Sequence, residues 1–429
     1  MANLELGEDT KKRTETPVTA DLLIAIVTPV NVEELRAAAA ETILRMSPQN
    51  VAEADPSLSG LRAAVAFPGI DGEDPESSNN TVHLDPAGSG VEIHFVPLAI
   101  SNSPSEIPWL GSSTAYQAVF SLGREMGVSA CAVVASDLAA LRPDALQSLL
   151  APVRESRCDL CMPIYPIGKF EGLLNSSILA PLPRALYGKR VSFPLAPDFG
   201  ISSRLLPTLE QPARQIVSQG KTLFWPATEA AVRGQGICQT HLNVRHVPGD
   251  GLDLSTVIAQ TVGPLFAEME GHAALWQRVR GSQAVEATGS PLPLAVEDST
   301  VDVRPMLETF ALGFRNLQEM WALVLPPVTL LELKRLSRMG ADQFRMPDQL
   351  WVRIVYDFAL AYRLRTLSRT HLLGALTPLY LGWAASHVLE VSKMRARDAE
   401  LRVERLARAY EDEKPYLLSR WRWPDRFNP

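Results

Sequence analysis

The sequence predicts an α/β fold with a mainly parallel sheet covered by helices, followed by a helical C-terminal domain. Two observations predict this class. Up to about residue 165, short runs of apolar, branched residues alternate with helical patterns, and this alternation is typical of parallel sheets. After residue 303 the strand-like runs stop, and the hydrophobic spacing indicates one helix after another.

The strands of the first part are predicted from runs that are short, apolar and rich in branched side chains. These runs are residues 22–27, 61–67, 91–97, 131–135 and 159–165. Helical patterns lie between them, at residues 32–46, 112–126 and 143–153. Asn31 is the predicted N-cap of the first helix, because its short polar side chain can accept from the first free backbone N–H groups.

Two regions of the first part lack these patterns. Residues 73–90 are rich in Asp, Glu, Ser, Asn and Gly, which predicts a surface loop. Residues 170–260 carry mixed signals, and we assign them to the same domain.

Helices are predicted throughout the C-terminal part. They cover residues 306–325, 328–339, 349–367, 371–391 and 396–410. Residues 372–389 are nearly uncharged over about the length of a membrane span, but Pro378 and His387 interrupt them. We favour a buried helix of the bundle over a membrane span, and we expect the tail around Trp421 to pack on its own chain.

Composition divides the chain into four segments. Residues 1–17 are polar and charged without the apolar core of a signal peptide, and are predicted to be a disordered lead-in. Residues 18–280 form the α/β domain. Residues 281–302, with their Gly, Ser, Pro and Thr, are a predicted linker, and residues 303–429 form the helical domain, which offers a surface for homo-oligomerisation.

Charge and cysteine content limit the possible partners and compartments. The formal net charge of −7 provides no basic surplus for phosphates, so nucleic acid is not an expected partner. Cys158 and Cys161 form a CxxC pair, but a zinc site of this type needs a second pair, which the sequence lacks. We therefore expect structural, reduced thiols and a cytoplasmic protein.

The strand at residues 131–135 ends on Ser136-Asp137. A buried strand that delivers a carboxylate at its tip presents it to the crevice of an open α/β sheet, where ligands bind. Aspartate at a strand end also serves as a helix N-cap or turn former, so this residue alone leaves both interpretations open.

Several segments share their residue pattern with one enzyme family. The most specific are residues 185–190 (Ala-Leu-Tyr-Gly-Lys-Arg) and 198–202 (Asp-Phe-Gly-Ile-Ser). The other matching segments are residues 133–138, 162–165, 169–172, 175–176, 181–184, 194–195, 238–239 with Leu242, 356–359, 371–373 and 378–383. On these residues, the chain from 131 to 266 resembles glycosyltransferases of the mannosylglycerate synthase and glucosylglycerate synthase type.

The resemblance implies a GT-A fold with a mixed, mainly parallel sheet. It also implies transfer of a hexose from a nucleotide-diphosphate sugar to a small hydroxylated acceptor such as glycerate, with retention of configuration. A divalent cation, Mg²⁺ or Mn²⁺, would hold the diphosphate.

Each predicted site residue has a role that the resemblance implies. Asp137 and His246 are the expected metal ligands, and Asp198 is the expected catalytic residue near the acceptor. The expected donor-binding residues are Pro29, Asp71, Gly111 and Asp137. The expected acceptor and sugar-binding residues are Glu171, Asn175 and Thr228. The alternative for each is an ordinary place in a turn, loop or surface.

The chain also departs from the family pattern close to the expected chemistry. Ala135 stands where the family has the first aspartate of its metal motif. The family's Gly-Lys-Gly near the donor phosphates is Leu110-Gly111-Ser112 here, without the lysine. These replacements leave a second hypothesis open, namely a non-catalytic relative that serves as a binding or oligomerisation partner.

Overall fold

The computed structural model describes residues 19–28, 31–46, 61–68, 81–84, 91–98, 111–134, 142–219, 223–244, 253–291 and 301–424. Within them the chain is an α/β protein with a helical C-terminal region. The predicted lead-in, residues 1–17, lies outside the described residues.

The N-terminal part alternates strands and helices. Its elements are β1 (Leu22–Ile26), α1 (Val32–Met46), β2 (Arg62–Pro68), β3 (Thr81–Leu84), β4 (Val91–Leu98), α2 (Ser113–Met126), β5 (Ala130–Val134), α3 (Pro143–Arg154) and β6 (Leu160–Ile164). The predicted strands and helices of this part are all confirmed, with ends that agree closely. The predicted cap is confirmed too, because Asn31 Oδ1 accepts the Glu33 N–H at 3.0 Å.

The strand β3 corrects the prediction of a surface loop over residues 73–90. It pairs antiparallel with β4, with Thr81 opposite His94. An apolar run identifies a strand that is buried on both faces, whereas a short edge strand bonded on one side does not need such a run.

The region of mixed signals contains both helices and strands. After a π-helical segment (Asn175–Leu179) come α4 (Pro181–Tyr187), β7 (Lys189–Arg190), β8 (Phe199–Ser202), α5 (Leu206–Ser218), α6 (Pro226–Val232), β9 (Ile237–His241), α7 (Leu254–Gly271) and α8 (Ala273–Trp276). Two short strands follow, β10 (Gln283–Ala284) and β11 (Glu286–Thr288), which pair with β7 and β9. The predicted linker therefore starts with sheet structure.

The described strands form a nine-stranded sheet in the order β11-β9-β6-β8-β5-β1-β2-β4-β3. All neighbours are parallel except at β3 and β8, and this confirms the mixed, mainly parallel sheet. Inside β8, Gly200 lets α3 approach closely, because a Cβ at this position would lie 2.2 Å from the Leu149 carbonyl oxygen.

The C-terminal part is helical, as predicted. It consists of α9 (Arg304–Val324), α10 (Pro327–Leu336), a 3₁₀ turn (Ala341–Gln343), α11 (Asp348–Leu364), α12 (Arg369–Val391), α13 (Ala396–Asp412) and α14 (Lys414–Arg422). By length and composition α12 could cross a membrane, with a mean hydropathy of 1.3, but 72% of its apolar window is buried inside the protein. The tail packs on its own chain, since Trp421 lies edge-on to Trp276 at 5.1 Å.

Two apolar cores underlie the two parts. One surrounds the sheet, and the other fills the helical bundle and continues into α4, α7 and α8 of the first part. Polar contacts cross the same boundary: Tyr410 donates to the Ser177 carbonyl at 2.6 Å, and Arg184 pairs with Glu404 at 2.6 Å. The helical part therefore buttresses the segment from residue 175 to 187.

The cysteines differ from the expectation of reduced thiols. Cys158 and Cys238 form a disulfide, with Cα atoms 5.8 Å apart, whereas Cys131 and Cys161 are buried free thiols. No local pattern indicates this bond, because Cys238 lies 80 residues beyond Cys158 and approaches it only when β9 pairs with β6, where Cys238 stands opposite Cys161.

Candidate active site at the carboxyl ends of the strands

The sheet changes direction between β1 and β5. From β1 the chain moves outward through β2 to β4, and it then returns through α2 to β5 on the other side of β1. In open α/β sheets, ligands bind in the crevice outside the carboxyl ends of the strands at such a switch point. A ligand is therefore expected beside the carboxyl ends of β1 and β5, at Ile26 and Val134.

Thr28 lies two residues beyond β1 and is 2% exposed. Among the described residues, its buried Oγ1 has no hydrogen-bond partner. Leaving a buried hydroxyl unpaired costs about 1–3 kcal/mol. A polar group held in this state at a switch point is well suited to bind a ligand.

Gly111 packs directly against the end of β1. A Cβ at this position would lie 2.6 Å from Val27 Cγ2, so only glycine allows the contact. The next residue, Ser112, caps α2 by accepting the Ala115 N–H at 3.2 Å. The Gly111 backbone also hydrogen-bonds the Tyr116 hydroxyl. The predicted donor-binding glycine is thus placed at the switch point.

Asp198 lies at the same edge, because β8 runs antiparallel to β5 and Phe199 pairs with Val133. The carboxylate is 2% exposed and accepts a hydrogen bond of 2.6 Å from the Tyr165 hydroxyl at the end of β6. Burial, followed by the charge of Asp198, raises the pKa of Tyr165 well above its usual value. The tyrosine therefore stays a hydrogen-bond donor at neutral pH.

A second tyrosine, Tyr116, packs against the residue that follows Asp198. The ring of Tyr116 lies 5.8 Å from that of Phe199, the residue after Asp198. Burial is the main cause that raises the pKa of Tyr116, and Asp198 adds to it. Asp198 is therefore a buried carboxyl group that accepts from the Tyr165 hydroxyl and lies near Tyr116, and a carboxylate in this place can orient a hydroxyl group or accept its proton.

Asn175 lines a cavity of about 270 Å³ between the two parts of the protein. Its side-chain amide donates to the Ser192 carbonyl at 2.9 Å. Arg184, Arg190 and Phe193 also line the cavity. Phe193 in turn contacts Tyr165 edge-on at 5.1 Å, which connects this cavity to the partner of Asp198.

The other two predicted sugar-binding residues have different surroundings. Glu171 turns back on its own loop, where Oε2 accepts the Gly168 N–H at 2.7 Å. Thr228 is buried beside a small void of about 10 Å³, and its Oγ1 has no partner among the described residues. The void shares Arg184 and Val191 with the larger cavity, so Asn175 and Thr228 line adjoining cavities.

Four predicted residues, Pro29, Asp71, Asp137 and His246, lie outside the described residues. Among the described ones, the side chains close enough to share a metal ion are Glu229, Glu268 and His272. None of these three belongs to the predicted site.

Sequence reasoning overlooked three polar groups of the site. Tyr165 lies within the resembling segment 162–165, but its role depends on the pairing that brings Asp198 to it. In the sequence, Tyr116 was only one residue of a predicted helix, and Thr28 was only the residue after a predicted strand. A polar residue directly after an all-apolar strand was the signal that could have identified Thr28.

No protein-family model matches the chain, and no curated protein matches it at a significant level.

Proposed function

We propose that the protein is a GT-A-type glycosyltransferase that moves a hexose from a nucleotide-diphosphate sugar to a small hydroxylated acceptor such as glycerate, with retention of configuration. The observation that carries the proposal is a pair of polar groups at the carboxyl ends of the strands. They are the Thr28 hydroxyl after β1, which has no partner among the described residues, and the buried Asp198 carboxyl group before β8. The first suits a nucleotide donor, and the second suits an acceptor hydroxyl.

The surroundings support this division of roles. The close approach of Gly111 to Val27 leaves backbone, rather than side chain, beside the end of β1, and this favours contact with a nucleotide or its phosphates. The cavity lined by Asn175 also contains Arg190, a cation that suits a carboxylate such as that of glycerate, whereas the guanidinium of Arg184 is taken up by Glu404 and Glu411. Catalysis of this kind consists mostly of positioning and charge stabilisation.

A divalent cation is part of the proposal. When bound, it would neutralise the leaving diphosphate, and a carboxylate with an imidazole, here Asp137 and His246, is a donor set that Mn²⁺ accepts. The described residues would have two roles. Thr28 and Gly111 would bind the donor, and Asp198 would orient the acceptor hydroxyl.

Titration calorimetry with a panel of nucleotide-sugars, in Mg²⁺ or Mn²⁺, tests the proposal. We expect one donor to bind, and we expect Asp137→Ala to remove the metal-dependent part of the binding. Asp198→Asn should keep donor binding but lower transfer by about 100-fold or more, since a positioned proton acceptor contributes on this order. Failure of every donor to bind, with and without metal, would refute the proposal.

A second candidate is a non-catalytic partner protein. The observation that favours it is Ala135 in place of the first metal-binding aspartate. An apolar surface on α9 and α10 also fits oligomerisation, because Leu312, Leu323 and Leu331 are all exposed. Donor binding without transfer to any acceptor would favour this candidate.

A further inference from the structure

Three potential metal ligands converge between α6 and the end of α7. Glu229 lies on α6, and Glu268 and His272 lie one helical turn apart at the end of α7. The imidazole Nε2 is 3.5 Å from Glu229 Oε1 and 3.2 Å from Glu268 Oε2. All three ligand atoms lie within 4.8 Å of one another, and both carboxylates are buried.

Both carboxylates face the same ring nitrogen. A single N–H bond points in one direction, so a proton on Nε2 can serve only one of them well. The two distances also exceed the roughly 2.7–2.9 Å of a strong charge-assisted hydrogen bond. They match the edges of a tetrahedron, which are about 3.3–3.4 Å long when its bonds to zinc are about 2.0–2.1 Å.

A fourth donor lies beside this group. The buried hydroxyl of Tyr187 has no hydrogen-bond partner among the described residues. The ring of Tyr187 packs edge-on against His272, with 6.2 Å between the ring centres. Burial and, after it, the nearby charges of Glu268 and Glu229 raise the pKa of the Tyr187 hydroxyl, which therefore stays protonated beside them. It can complete the coordination directly or through a water molecule.

Two further features suit a bound ion. Arg233 holds the other oxygen of Glu229, Oε2, and thereby leaves Oε1 turned toward the imidazole. The side chain of His272 is 22% exposed, which provides a path from solvent to the otherwise buried ligands.

We propose that Glu229, Glu268 and His272 form a structural zinc site, separate from the cation of the transfer reaction. Two carboxylate oxygens and one imidazole, with a fourth donor from Tyr187 or water, are a set that Zn²⁺ accepts. α6 packs on β6 and β9, whereas α7 packs on α11 and α12. The ion would therefore clamp the joint between the sheet and the helical part.

The test is metal binding by the full chain without any nucleotide-sugar. After chelation, the protein should take up one equivalent of Zn²⁺, and Co²⁺ in its place should give the visible absorption of a tetrahedral site. Glu268→Gln and His272→Gln should each lose this equivalent, while His371→Gln, which changes an exposed histidine, should keep it. Asp137→Ala should keep it too, which separates this site from the donor site.

Thermal unfolding provides a second readout. Chelation should lower Tm by on the order of 2–5 °C and Zn²⁺ should restore it, in wild type and His371→Gln but not in His272→Gln. A triad that is only an ion pair predicts no uptake by wild type and no effect of the chelator. Either of these results, or equal uptake by wild type and His272→Gln, would overturn the proposal. If His272→Gln does not fold, Zn²⁺ uptake by Glu268→Gln and the Co²⁺ spectrum of wild type decide between a zinc site and an ion pair.

Discussion

Buried polar groups are treated differently in the helical part and at the carboxyl ends of the sheet. In the helical part, Arg420 pairs with the fully buried Asp357, and Arg402 with Asp348 and Glu390. At the sheet edge, the Thr28 hydroxyl is buried without a partner among the described residues. The first arrangement holds the fold together, and the second lowers stability where a ligand would restore the missing hydrogen bond.

Helix α12 is an exception, because it contains buried polar atoms that lack partners in the described ranges although it belongs to the helical part. There, among the described residues, Thr377 Oγ1 and His387 Nδ1 are also buried without partners. Neither lies at the end of a sheet strand. An unpaired group therefore indicates a binding site only where a crevice or other converging polar groups accompany it, and α12 supplies the matched controls for this rule.

The largest effect is expected from breaking one buried ion pair. Arg420→Met should lower the free energy of unfolding by about 3–5 kcal/mol, because it leaves the Asp357 carboxylate buried without its guanidinium partner. The double variant Asp357→Leu with Arg420→Met should recover most of this loss. Urea denaturation measures both, and a single variant as stable as wild type would contradict the structural role of the pair.

A second effect of similar size depends on pH. Burial is the main cause that lowers the pKa of His387 to about 4, from the ordinary histidine value of 6.5. A depressed pKa means that the unfolded chain binds the proton first, so stability is complete above pH 6.5 and falls by about 3 kcal/mol as the pH drops to 4. His387→Gln should remove this part of the acid sensitivity. Equal slopes of unfolding free energy against pH in both proteins would show that the residue does not act this way.

A glycine pair tests the packing at the switch point. Gly111→Ala should destabilise the protein by about 1–3 kcal/mol and weaken donor binding, because its Cβ would clash with Val27. Gly374→Ala, a position on α12 with no atom within 4 Å of the added Cβ, should instead stabilise by about 0.5–1 kcal/mol. Thermal unfolding of the two variants compares them directly, and a tolerated Gly111→Ala would mean that the contact is not tight.

The smallest effect is expected from two buried threonine hydroxyls, and it distinguishes a change in stability from a change in donor binding. Thr28→Val and Thr377→Val each remove a buried hydroxyl that has no partner in the described part of the chain, so both should keep stability or raise it by about 1 kcal/mol. Only Thr28→Val should weaken donor binding, by about five- to tenfold for one lost hydrogen bond. If both variants bind the donor like wild type, Thr28 is not part of the site.

Much of the fold was predictable because buried parallel strands leave a plain pattern. The all-apolar run of β1 and the alanine-rich helix after Asn31 are local features. The antiparallel direction of β8 was not predictable in this way. No local pattern specifies it, and it is set by the pairing of β8 with β5 and β6. The resemblance named Asp198 as a candidate site residue, but its hydrogen bond to Tyr165, 33 residues away in the chain, required the assembled sheet.

Hydrogen exchange with and without bound donor tests the central claim most directly. The account predicts slower exchange, by about threefold or more, in peptides that contain Thr28, Gly111 and Asp198, and unchanged exchange in α9 and α10. Protection confined to the helical part, with a donor demonstrably bound, would contradict a nucleotide-sugar site at the carboxyl ends of the strands.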